Sequence, residues 1–152
     1  PQGAPMAKQM QSLGLKAKFL GGDGLQTTEF LKLASAAAEG VTASSPGLPI
    51  DSMPGGKAFR DKFTTKYGPI QTYAPYAYDA ATAMITAMEK AGSAEPAKYL
   101  AELPNIRFAG VTGEIGFDAK GDVLGGAITL YRVKAGKWEV VETVMSGAAP
   151  NK

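Results

Sequence analysis

The sequence predicts an α/β fold, helices alternating with short strands, on three observations. Apolar residues recur at helical spacing in several segments. Most of those segments stop on a glycine or a proline. Through residue 45 the connections are only a few residues long, the pattern of right-handed crossover units on a parallel sheet. In a chain of 152 residues this amounts to one domain's worth of structure.

The elements follow in order. Residues 4–13 carry Met6, Met10 and Leu13 on one helical stripe, and Gly14 is placed to be the left-handed residue past the helix end. Residues 16–20 read as a buried strand running into Gly21-Gly22-Asp23-Gly24, a loop the backbone can shape freely. Thr27 or Thr28 can cap the next helix, whose face is Phe30, Leu31, Leu33, Ala34, Ala37 and Ala38 and which Gly40 stops. Residues 41–45 are the second strand. The composition then turns to Ser, Pro and Gly over residues 45–56, a linker with no element of its own.

Beyond the linker, Phe59, Phe63 and Tyr67 are four apart on a helix over 57–67 that Gly68-Pro69 ends. Tyr73 falls in a short extended stretch. The next helix starts near Pro75 or Tyr76 and runs to Ala91, with Ala77, Ala80, Ala81, Met84, Ile85 and Met88 on its apolar side. Pro96 opens a further short helix. The remainder is β in character: strands at 107–111 and 114–117, a turn over 118–122, and a hairpin pairing 127–133 with 138–145 across Lys134-Ala135-Gly136-Lys137. The tail, 146–152, is expected to be loose.

Composition excludes much chemistry. A net charge of +2 is too small to argue for a nucleic-acid or membrane-surface partner. With no His and no Cys, the chain cannot build an imidazole or thiolate metal site, a Cys nucleophile, a His-based triad or a disulfide. No apolar run approaches the roughly 18 residues that span a bilayer. Pro1-Gln2-Gly3-Ala4-Pro5 offers neither an initiator Met nor a signal-peptide core, which suggests a processed chain or a fragment.

Asp23 is the most informative polar residue, because ligands of open α/β sheets bind beyond the carboxyl ends of strands and glycines flank it, Gly22 first. A carboxylate there suits a ligand ammonium, at roughly 1.5–3 kcal/mol for the charge-assisted hydrogen bond. A plain turn remains the other reading. Of Tyr73, Tyr76 and Tyr78, Tyr73 is the better cleft candidate and the other two suit packing. Asp79 beside them reads as a second acidic contact or as a partner of the helix dipole. The glycine stretches at 21–24 and 110–116 are poor phosphate sites: the first carries a negative charge, and the second leads into a strand. Asp118 and Asp122 read as a turn rather than a calcium loop or a hydrolase pair.

Six segments together resemble the periplasmic substrate-binding proteins of the Leu/Ile/Val-binding family, which feed ABC importers. They are residues 14–24, Ala38-Glu39-Gly40-Val41, Phe59-Arg60-Asp61-Lys62-Phe63, Tyr76-Ala77-Tyr78-Asp79-Ala80, Gly110-Val111-Thr112-Gly113 and 117–122. The likeness covers nearly the whole chain but matches only the C-terminal part of such a protein. It implies a type I periplasmic-binding-protein fold, partial here, with parallel sheets flanked by helices in two hinged lobes. Residues 1–45 would be part of the C-terminal lobe, 46–120 the returning part of the N-terminal lobe, and 121–152 the crossover and terminal hairpin, with hinge strands at 44–49 and 119–125.

The implied function is periplasmic capture of an amino acid, branched-chain or otherwise aliphatic, for an ABC permease of the inner membrane. No covalent chemistry, cofactor or metal is involved. The family's acidic residue for the ligand α-ammonium, Glu in many relatives, falls on Asp23, and the aromatic of the side-chain pocket falls on Tyr73. Donors for the ligand carboxylate belong to the N-terminal half. A ligand-sensing lobe of a receptor or regulator is the alternative, followed by a His-free hydrolase using Asp23 with Asp79 or Asp118. Because 45–120 lacks the strands its helices should cover, the chain is expected to expose apolar faces. A second polypeptide such as the missing N-terminal half, or an intertwined dimer, would bury them.

Overall fold

The computed structural model describes residues 2–70 and 72–145, so the expected loose tail lies outside the described residues. The chain divides into two compact units, one of residues 1–47 with 127–152 and one of residues 48–126. Among the described residues no helix is long and apolar enough to cross a membrane.

The first unit holds α1 (Gly3–Ser12), β1 (Leu20–Gly21), α2 (Thr28–Ala34), β2 (Thr42–Pro46) and the hairpin strands, which in chain order are β5 (Ala127–Lys134) and β6 (Lys137–Met145). Its sheet runs β1-β2-β5-β6. Parallel pairing is confined to β1 and β2; β5 returns antiparallel to β2, and β6 antiparallel to β5. Ala135 and Gly136 both have positive φ, the backbone a two-residue hairpin turn of this twist requires. The Glu39 carboxylate accepts from both their N–H groups, at 3.1 and 3.4 Å. Thr27 provides the α2 cap, its Oγ1 accepting from Phe30 N at 3.0 Å. Ser35 turns left-handed, so the helix stops at Ala34 and one tighter turn, Ser35–Ala38, finishes the segment.

The core of this unit is Ala4, Ala7, Phe30, Ala34, Ala38, Val41 and Val133, with Phe19, Leu25 and Trp138 packed against it. Two expectations change here. The buried face of α1 is Ala4 and Ala7, whose small side chains let α1 approach its neighbours closely, while Met6 and Leu13 are exposed. The expected buried strand over 16–20 shrinks to Leu20–Gly21, and Leu20 is 65% exposed. β1 is an edge strand, paired among the described residues with β2 only, so its outer backbone groups are left outside the ladder.

The second unit holds α3 (Gly56–Tyr67), α4 (Ala74–Ala91), α5 (Pro96–Tyr99), β3 (Arg107–Ala109) and β4 (Glu114–Gly116). Its two-stranded sheet is antiparallel. A short 3-10 turn, Ile50–Ser52, lies in the segment expected to have no element. α4 buries Pro75, Asp79, Ala83 and Ala87, a strict i, i+4 stripe, and Ala83 and Ala87 pack on Ile106 with Tyr99, Leu103, Phe108 and Phe117 around them. The expected apolar side of α4 is not this one: Ala77, Ala80 and Ala81 are exposed, and Ile85 is 56% exposed. Between α3 and α4 runs a groove of about 540 Å³ lined by Phe59, Phe63, Tyr67 and Tyr78. Among the described residues, this groove and the exposed side of α4 present apolar surface.

Candidate functional site

The candidate loop is built from β1 outward. Gly22 is extended and solvent-exposed, with open space where a Cβ would stand, and Asp23 begins the 3-10 turn Asp23–Leu25 as a half-buried residue. The turn is closed by Leu25 N–H to Gly22 O at 3.0 Å and Gln26 N–H to Asp23 O at 2.9 Å. Leu25 anchors it: its Cδ atoms occupy the space that side chains at Gly3 and Gly21 would need. A side chain at 3 or 21 would require the Leu25 side chain to shift. The turn thus holds a carboxylate at the C-terminal end of the parallel pair, where backbone is accessible from solvent at Gly22.

Two residues of the terminal hairpin support this loop from behind. Trp138 donates its indole N–H to Thr27 O at 3.3 Å and stacks on Phe30 with ring centroids 5.7 Å apart. Tyr131, opposite Ala43 in the β2–β5 ladder, hydrogen-bonds the Gln26 side chain. Sequence reading missed both, although an aromatic on each strand of the hairpin near its turn was visible.

Burial pushes the Tyr131 phenol above the ordinary tyrosine range, while its hydrogen bond with Gln26 pulls the other way. The fold therefore favours the neutral phenol. Its contribution to stability is fully present below the ordinary value of about 10 and is lost as pH rises through the raised one. Ultraviolet titration of the phenols is expected to show a late step that Tyr131→Phe abolishes; an unaltered titration in that variant would contradict the assignment.

Tyr73 lies in the second unit, in the turn before α4, and is half exposed. It has helical rather than extended backbone, since Pro75 fits inside the first helical turn and lets the helix begin at Ala74. Gly22 and Asp23 thus share one loop, and Tyr73 belongs to the other unit. Tyr78 packs on Phe59 at 5.4 Å between centroids, the packing role expected of it.

Asp79 is neither a ligand contact nor a dipole partner. It sits past the first turn on the buried side of α4, 4% exposed, and its carboxylate accepts from Val111 N–H, Thr112 N–H and the Thr112 hydroxyl at 2.8, 2.8 and 2.6 Å. The glycine loop at 110–113 does cradle an anion, and that anion is a side chain of the same chain. Asp118 likewise serves its own turn, Oδ1 accepting from Lys120 and Asp122 N–H. Among the described residues no three acidic side chains cluster as a metal site would need.

The profile of a family described as periplasmic binding protein matches residues 1–137. The chain is 34% identical over 132 residues to the leucine-, isoleucine-, valine-, threonine- and alanine-binding protein of Pseudomonas aeruginosa, covering 86% of this chain and 35% of that one. It is 32% identical over 144 residues to the Leu/Ile/Val-binding protein BraC3 of Rhizobium johnstonii, covering 90% and 38%. Among solved structures, the leucine binding protein LivK of Thermotoga maritima superposes with a TM-score of 0.80 at 27% identity, covering 93% of this chain and 41% of that one. The branched-chain amino acid transporter substrate binding protein LivJ of Streptococcus pneumoniae, in complex with isoleucine, gives 0.77 at 27% identity, with the same coverage. The chain therefore spans well under half the length of these relatives.

Proposed function

Because the chain belongs to the periplasmic binding protein family, we propose that it is the C-terminal portion of a periplasmic solute-capture protein that hands an amino acid to an ABC permease. The observation that carries this reading is the glycine-flanked carboxylate of Asp23 at the carboxyl end of β1, beside β2 in parallel register. A carboxylate there receives an α-ammonium, Gly22 lets the ligand come against backbone, and Tyr73 is the aromatic proposed for the ligand side chain. The names of the relatives support a branched-chain or other aliphatic amino acid as the ligand. Capture and release need no covalent step, in keeping with a chain that has no His and no Cys.

In this reading residues 1–45 belong to the C-terminal lobe, 46–120 are the returning part of the N-terminal lobe, and 121–152 cross back and end in the hairpin. The division into units at 47/48 and 126/127 supports that assignment. The open face of α4, the groove beside it and the free edge of β1 are then seats for the strands and helices of the remaining length of such a protein. The test is a thermal-shift and turnover panel of amino acids against the gene product joined to that remaining length. A rise in melting temperature with leucine, isoleucine or valine and no product supports capture. Product formation, or no shift with any amino acid, overturns it.

A further inference from the structure

The chain passes between its two units twice, at Gly47 and at Ala127, which are bonded to each other through backbone, and a buried hydroxyl also holds Gly47. The β2–β5 ladder ends at the pair Pro46 and Ile128. Immediately beyond it Gly47, at φ +77°, donates its N–H to Ala127 O at 2.6 Å, while its C=O accepts from Thr129 Oγ1 at 2.7 Å. Thr129 is 0% exposed, and its oxygen lies 3.0 Å from the Thr143 hydroxyl across the hairpin. Since the single Thr129 proton goes to Gly47, Thr143 must be the donor to Thr129. A relay therefore runs from Thr143 through Thr129 to the backbone of the residue where the first passage leaves the sheet.

We infer that Thr129 is a positioning residue that fixes where the two passages can bend. With both polar groups of Gly47 held by β5, the next anchor along the first passage is the turn at Ile50–Ser52, which leaves Leu48 and Pro49 between them. On the second passage Leu124 N–H is bound to Gly116 O and Ala127 is bound to Gly47, which leaves Gly125 and Gly126. Pro49 fixes its own φ and holds Leu48 extended, so the first passage is stiff, and the two glycines make the second one pliant. Removing the Thr129 hydroxyl leaves the Gly47 carbonyl without its donor and lets bending spread back into β2. This inference rests on the two-lobed capture reading, because its purpose there is to confine hinge motion.

The chain has no native Cys, so nitroxides at Lys137→Cys and Glu89→Cys, one in each unit, report only the introduced sites. Pulsed dipolar spectroscopy on the 152-residue chain is expected to show a distance distribution that roughly doubles in width in Thr129→Val and keeps the parent width in Thr129→Ser. Thr143→Val, which spares the bond to Gly47, is expected to stay near the parent. An unchanged width in Thr129→Val would overturn the inference. So would equal broadening in Thr143→Val, which would trace the effect to packing, or loss of the far-ultraviolet spectrum in Thr129→Val, which would make the hydroxyl essential to the strands themselves. The measurement uses no ligand, so it stays readable if amino-acid capture fails.

Discussion

Asp79→Ala is expected to destabilise the 48–126 unit by about 3 kcal/mol, read as lost protection in amide exchange over residues 107–116 under urea. The carboxylate is buried and takes three hydrogen bonds, two of them from backbone N–H groups that have no equivalent acceptor once it is gone. Gly55 N–H binds Val111 O at 3.0 Å, so the same loop also fastens the end of the linker. A partner change tests the geometry. A Cβ on Gly110 would stand 2.7 Å from the Asp79 carboxylate, and Gly110→Ala alone is therefore expected to destabilise by pushing that group off its donors. In the Asp79→Ala background the clash is absent, so the two effects are expected to be far from additive. Additive losses would contradict the latch.

Asp23→Asn in the gene product joined to its remaining length is expected to weaken leucine binding between about tenfold and a hundredfold, for the loss of one charge-assisted hydrogen bond. Stability is expected to fall by far less than affinity. The loop is held by Leu25 and by backbone bonds within its turn, and asparagine suits such a turn as well as aspartate. Equal losses in affinity and in melting temperature would demote Asp23 to a structural turn residue.

The order of elements was legible because stops are local chemistry. Gly14, Gly40, Gly68 and Gly92 each adopt positive φ at or just past the end of a helical segment, a conformation glycine takes at no steric cost, whereas the stop of α2 at Ser35, also at positive φ, carried no such signal. The choice of buried face was less legible. On α4 the sequence offers two apolar stripes, and the chain uses the one through Pro75, Asp79, Ala83 and Ala87, leaving Ala77, Ala81 and Ile85 exposed. A stripe announces that a face will be covered; which neighbour covers it depends on chain elsewhere. Met6 on α1 and Leu13 just past its end give the same lesson.

At the candidate site, Asp23 was visible because glycines bracket it at a strand end. Its supports were not, since Trp138 meets Thr27 across 111 residues of sequence and joins it only because the hairpin lies antiparallel beside β2. Asp79 was misread for the same reason. Its donors lie 32 and 33 residues away, and no periodicity links a helix to a distant loop.

Calorimetric titration of the gene product joined to its remaining length, with L-leucine and then with 4-methylpentanoate, the same acid without its ammonium group, tests the central claim most directly. If Asp23 neutralises the ligand amine, leucine releases binding heat and the deaminated acid binds at least tenfold more weakly. The same affinity for both, or heat from neither, would contradict it.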